Sequence, residues 1–127
     1  MATYPTIGVD AGGGDVLVRV CIPAYPQALA ANLWKYKADK TPEGKVGSFT
    51  TGVEQVNLGP PSGIQGHLFL LEGSVIGAGG GPGGQYQVKV SIVQGTNILH
   101  DTTPPEGGHG QIDEKDVPFS FRFGVAP

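Results

Sequence analysis

The sequence predicts an all-β domain, a sandwich or barrel of short strands joined by tight turns. Apolar and polar residues alternate in one segment after another, and amphipathic helical spacing is scarce. The 22 glycines and 11 prolines punctuate the apolar runs instead of pooling in one tract. Alternation with period two marks a strand with one face inward, and a disordered chain would lack such runs. A length of 127 residues suits a single domain over 1–127 with one core.

The first long segment, Asp15–Ile22, sets Val16, Val18, Val20 and Ile22 on one face and Leu17, Arg19 and Cys21 on the other. Just before it, Asp10–Asp15 brings two carboxylates close across a run of glycines. A calcium site needs about six oxygen ligands, and the segment has neither EF-hand spacing nor a repeated nonapeptide, so it reads as a turn. Ala30–Lys37 sets Trp34 and Tyr36 against Lys35 and Lys37. Ala and Leu in this stretch favour helix, but the alternation favours a strand, with Trp34 expected in the core. Lys45–Thr51 and Val53–Leu58 read as short strands beside turn residues.

Gly66–Glu72 is continuously apolar up to its final glutamate, as a strand buried on both faces would be. Gln85–Val93 alternates Tyr86, Val88, Val90 and Ile92 against Gln87, Lys89 and Ser91. Val117–Val125 alternates Phe119, Phe121 and Phe123 against Ser120 and Arg122.

The glycine run within Ser74–Gly84 invites a dinucleotide reading, since Gly79, Gly81 and Gly84 satisfy the spacing of the fingerprint. The context fails. A strand follows, so there is no helix N-terminus to hold a pyrophosphate, and the run reads as a loop between strands.

Gly-x-Tyr-x-Val at Gly84–Val88 resembles the start of strand F in immunoglobulin-like sandwiches, where the tyrosine pins the preceding loop. The resemblance implies that Cys21 and Trp34 lie on strands equivalent to B and C, that His67–Leu71 belongs to strand E, and that Val88 replaces the second cysteine. It implies a Greek-key sandwich of about seven or eight strands, with Pro23–Gln27 and the loop after strand F sharing one end.

That later loop, Asp101–Asp116, carries Pro104, Pro105, Gly107, Gly108 and Gly110, which argue against regular structure across most of it. Long irregular loops in compact domains are usually functional or mobile, which makes this the expected place for a site. His100, Asp101, His109, Asp113, Glu114 and Asp116 are of the types that bind zinc or another divalent ion. Their spacing matches no compact motif, so no metal and no cofactor is expected.

The net charge of −3 argues against nucleic acid. The one local group of cations, Lys35, Lys37, Lys40 and Lys45, is diluted by Asp39 and Glu43. Cys21 is the sole cysteine, which rules out an intrachain disulfide. No signal peptide or membrane-spanning stretch is visible, so no membrane insertion is expected, while compartment and oligomeric state stay open. No Gly-x-Ser-x-Gly elbow occurs, and nothing links Glu54 with Glu72 as paired carboxylates; no enzymatic activity is expected.

The composite expectation is a binding module acting through loops at one end of a sandwich, with a protein partner first. Tyr25, His100, Asp101, His109 and Asp113 are its candidate residues. A small carbohydrate-binding, lectin-like domain, metal-assisted through Asp101–Asp116, is one alternative. Tyr25, between Pro23 and Pro26, is the aromatic freest to stack on a sugar. A structural subunit joining an assembly through an edge strand, with the Phe119–Phe123 stripe near that edge, is the other.

Overall fold

The computed structural model describes residues 4–21, 28–50, 55–76, 85–87, 89–102, 109–111 and 117–127. The strands are β1 (Thr6–Ile7), β2 (Val16–Cys21), β3 (Ala28–Tyr36), β4 (Pro42–Thr50), β5 (Gln55–Gly59) and β6 (Leu68–Ile76). They continue with β7 (Gln85–Gln87), β8 (Lys89–Gln94), β9 (Asn97–Thr102), β10 (His109–Gln111) and β11 (Val117–Val125). The helical element among the described residues is a 3-10 turn at Pro61–Gly63. A five-stranded sheet in the order β1-β11-β6-β3-β4 packs on a four-stranded sheet, β5-β2-β8-β9, and β7 pairs with β10. The chain is therefore an all-β sandwich.

The core follows from the alternation. Val16, Val18 and Val20 of β2 and Val90 and Ile92 of β8 turn inward from one sheet. Leu33, Phe49, Phe69, Leu71, Phe121 and Phe123 meet them from the other. Phe69 stacks on Phe123 with centroids 5.1 Å apart, and Phe121 lies 5.9 Å from Phe123. Each such pair contributes about 0.5–1.5 kcal/mol beyond its area. β4 and β5 bring the two sheets close together at Gly47 and Val56. A Cβ on Gly47 would stand 2.6 Å from Val56 Cγ1, so only glycine fits there.

Four expectations need correction. The described strands number eleven, more than the expected seven or eight. The extra strands include two that periodicity cannot find: β1 has two residues, and β9 has only the adjacent pair Ile98 and Leu99 as its apolar content. Second, the expected strand Gln85–Val93 is divided between sheets, with β7 on β10 and β8 between β2 and β9. Third, the expected loop Asp101–Asp116 is regular at Asp101 and Thr102, which end β9, and at His109–Gln111, which form β10 with His109 in register with Gln87, while 103–108 and 112–116 lie outside the described residues. Backbone groups that need partners are satisfied by pairing even in a glycine-rich segment. Fourth, Trp34 is not in the core. The pleat of β3 turns Ala31 and Leu33 inward, at 4% and 0% exposure, and Trp34 to the outer face.

β2 and β8 are hydrogen-bonded neighbours, with Cys21 opposite Lys89. In immunoglobulin-like sandwiches strands B and F face each other across the core.

The Asp10–Gly14 turn is held from the side by Gln94, a buried polar residue at 3% exposure. Its Nε2 donates to the carbonyls of Asp10 (2.8 Å) and Gly14 (2.9 Å), and its Oε1 accepts the Asp10 N–H (2.9 Å). The turn carboxylates are engaged locally: Asp10 accepts from the Gly12 N–H, and Asp15 from Asn57. Replacing Gln94 by Met keeps the volume and removes all three bonds. Gln94→Met is expected to lower the unfolding free energy by about 2 kcal/mol, read as a lower urea midpoint with an unchanged slope.

Candidate functional site

With the phenylalanines turned inward, the outer face of the five-stranded sheet can be read row by row from its register. Tyr36, Leu68 and Gly124 form one row, and Lys45, Trp34, Leu70 and Arg122 the next. Ser48, Asn32, Glu72 and Ser120 form the third, where Ser48 donates to Asn32. The face thus grades from aromatic and aliphatic to polar. At its apolar end lies a cavity of about 420 Å³, with Tyr4, Tyr36, Lys40, Leu68, Leu70 and Arg122 among its lining residues.

Each wall has a local cause. Tyr4 is placed by the parallel pairing of β1 with β11, locked by the Gly124 N–H donating to Pro5 O at 2.9 Å. Its ring lies over Gly124, where a Cβ would come within 3.2 Å of Tyr4 Cε1 and 3.1 Å of Leu68 Cδ2. Tyr36 ends β3, and its carbonyl lies 3.2 Å from His67 Nδ1, which is also 2.7 Å from Glu43 Oε1. In the Nδ1–H tautomer one proton serves both acceptors and ties the end of β3 to the approach to β6. Leu68 and Leu70 are the outward half of the unbroken apolar run. They are half-buried, whereas their inward neighbours Phe69 and Leu71 are fully buried. The expectation of burial on both faces is corrected accordingly.

Lys40 arrives through the β3–β4 turn. The Lys40 N–H donates to Lys37 O (2.8 Å) and the Lys37 N–H to Thr41 O (2.9 Å), which makes Ala38–Lys40 a three-residue hairpin loop. The third loop position takes the left-handed conformation and is usually glycine; here it is Lys40, at φ 71°. The Thr41 hydroxyl, and then its backbone N–H at 3.0 Å from Oδ1, hold the Asp39 carboxyl below its ordinary value.

Three cations, Lys40, Lys45 and Arg122, stand on or beside this end of the face, and Glu72 lies one row beyond. The ion pairs among the described residues, His67 with Glu43 and Lys89 with Asp101, involve none of those cations. Trp34 adds a second unfavourable feature, because its Nε1 is buried without a hydrogen-bond partner among the described residues. An unpaired buried donor costs about 1–3 kcal/mol. Such local departures from good packing gather at functional sites.

The residues expected from sequence divide differently. Tyr25 and Asp113 lie outside the described residues, as do Glu114 and Asp116. His109 is in β10. The His100 ring stacks on Phe121 at 5.8 Å. Asp101 is exposed, accepts the Ser91 hydroxyl at 2.7 Å and lies 3.5 Å from Lys89 Nζ. Adjacent on β9, His100 and Asp101 face opposite ways, so the strand does not bring them together. Among the described residues no group of three or more His, Cys, Asp or Glu could hold a metal ion, and no helix is long and apolar enough to cross a membrane.

Tyr4, Lys40, Leu68, Leu70 and Arg122, which line the cavity, are not among the residues expected from sequence. The one signal for them in the sequence was the failure of Gly66–Glu72 to alternate. No protein-family model, curated protein or solved structure matches the chain.

Two outcomes follow from the β3–β4 turn. Lys40→Asn places a residue that tolerates the left-handed conformation, and is expected to raise stability by about 0.5 kcal/mol, seen as a melting temperature about 2 °C higher. The Asp39–Thr41 contact is complete above the usual carboxylate range and is lost as pH falls through the depressed value of Asp39. The Thr41 amide resonance should therefore hold steady from about pH 7 to 5 and move only below about pH 4.

Proposed function

We propose that the chain is a non-catalytic binding module whose binding surface is the outer face of the five-stranded sheet, and that a protein partner seats an apolar side chain in its cavity. The observation that carries this reading is the cavity itself, about 420 Å³ with an aliphatic floor at Leu68 and Leu70 between Tyr4 and Tyr36. Ligand sites are typically concave, mostly apolar and edged by a few polar groups, and aromatic and Arg side chains dominate protein recognition.

A carbohydrate-binding role is the second reading, favoured by the two tyrosine rings. The lining has no amide or carboxylate side chain to hold sugar hydroxyls, so the protein reading is preferred. Assembly of identical subunits through this face is disfavoured by charge. A two-fold contact is self-complementary and would bring Lys40, Lys45 and Arg122 of two copies together. For catalysis, the described serine side-chain bonds run to Asn32 and Asp101, not to a histidine.

Leu70→Arg tests the reading without touching the core. Peptides selected from a random library on the wild-type chain should carry a common apolar residue. They should bind at least about tenfold more weakly to Leu70→Arg, and equally well to Ile98→Arg at the exposed β8–β9 hairpin. Melting curves would establish that both variants fold. Equal binding to Leu70→Arg would overturn the assignment of this face.

A further inference from the structure

We infer that the partner segment is acidic on both sides of its apolar anchor, an inference that rests on the binding reading above. The two cavity-lining cations stand on opposite sides of the β6 floor. Lys40 projects from the β3–β4 turn, and Arg122 lies on β11 beside Leu70. Lys45 extends the cationic side in the row of Trp34.

The cavity lining holds two cations and, among the described residues, no carboxylate, although the chain as a whole carries −3. The other carboxylates in these contacts have partners, Glu43 and Asp39 near the cavity included: Glu43 to His67, Asp39 to Thr41, Asp101 to Lys89 and Ser91, Asp15 to Asn57 and Asp10 to Gly12. Among the described residues none of these reaches the cations of the cavity. Glu72, on the same face, lies in the polar row beyond Arg122 and pairs across strands with Asn32 and Ser120. Lys40 occupies a position that glycine or asparagine would fill with less strain, and the result is a cation at the rim of the cavity.

Spacing defines the ligand further. Strands β3, β6 and β11 are consecutive in the sheet, so its width from β3 to β11 is about 10 Å. An extended chain crosses that width in about three residues. Side chains of an extended segment alternate, so a segment lying across the strands places one apolar side chain over Leu68 and Leu70 and turns the residues two before and two after it toward Lys40 and Arg122. Carboxylates at those positions complete the two cations, and the Arg122 guanidinium suits a bidentate contact. A basic segment meets like charge on both sides.

Four synthetic nine-residue peptides test the inference. The first has a central phenylalanine with two glutamates on each side. The others replace the glutamates by glutamines, replace them by lysines, or keep the glutamates and replace the phenylalanine by alanine. Titrations would follow the amides of Leu68, Leu70 and Arg122 together with the fluorescence of Trp34, the sole tryptophan. The glutamate–phenylalanine peptide should bind about tenfold tighter than its glutamine counterpart at low salt, from two exposed ion pairs of about two- to fivefold each. The difference should shrink at 0.5 M salt. Arg122→Gln and Lys40→Asn should each remove about threefold. For Lys40→Asn a melting temperature no lower than wild type keeps unfolding out of the explanation.

Equal binding of the glutamate and glutamine peptides at these residues would overturn the acidic assignment and leave the cavity as the binding site. Equal binding of the alanine peptide would overturn the anchor. No shift at these residues with any peptide would overturn both.

Discussion

Strand β6 is the constraint on which the rest depends. It is hydrogen-bonded along its length to β3 on one side and β11 on the other, with Leu68–Ile76 paired to Ala28–Tyr36 and Leu68–Val75 paired to Val117–Gly124. A strand held from both sides has a fixed pleat. A slip of one residue would exchange its two faces, taking Phe69 and Leu71 out of the core and putting Leu68 and Leu70 in. The stacking of Phe69 on Phe123 and the closeness of Phe121 depend on that register. So does the row of Tyr36, Leu68 and Gly124 on the other side.

Core and cavity are thus two consequences of one ladder. A sandwich needs one apolar face on each sheet, and the inward valines and phenylalanines already provide it. The apolar residues left on the outer face stabilise nothing that the described residues show. They coincide with a lysine in a left-handed turn and a tryptophan whose indole N–H has no partner among the described residues. These three departures from good packing lie at one end of one face, and the polar row at Asn32, Glu72 and Ser120 limits them. That concentration of departures in one place is what supports the proposed binding role of this face.

The core was largely legible in the sequence. Val16, Val18 and Val20 against Leu17 and Arg19, and Phe121 and Phe123 against Ser120 and Arg122, each have one apolar face. Period two alone then decides which side is inward. Ala30–Lys37 shows where that stops. Leu33 and Ala31 on one face compete with Trp34 and Tyr36 on the other, and residue size misleads. The outcome is set by cross-strand partners, Leu71 and Gly73 from β6 and Gly47 and Phe49 from β4, which no local pattern contains. β9 and β10 were missed for the same reason: pairing defines them, not periodicity. The site was illegible as a whole. Its residues come from five separate places in the chain, and the φ of Lys40 exists only once the β3–β4 hairpin has closed. The unbroken run of Gly66–Glu72 was visible, but from sequence it reads equally as a strand covered on both faces.

Whether that outer face is open in the free chain can be measured directly. Leucine methyl groups would be labelled and their relaxation followed while a soluble paramagnetic gadolinium chelate is added. The methyls of Leu68 and Leu70 should relax strongly, and those of Leu33 and Leu71, at 0% exposure, should stay nearly unaffected. Protection of Leu68 and Leu70 equal to that of Leu71 would contradict an open cavity on this face, and with it the binding site built there.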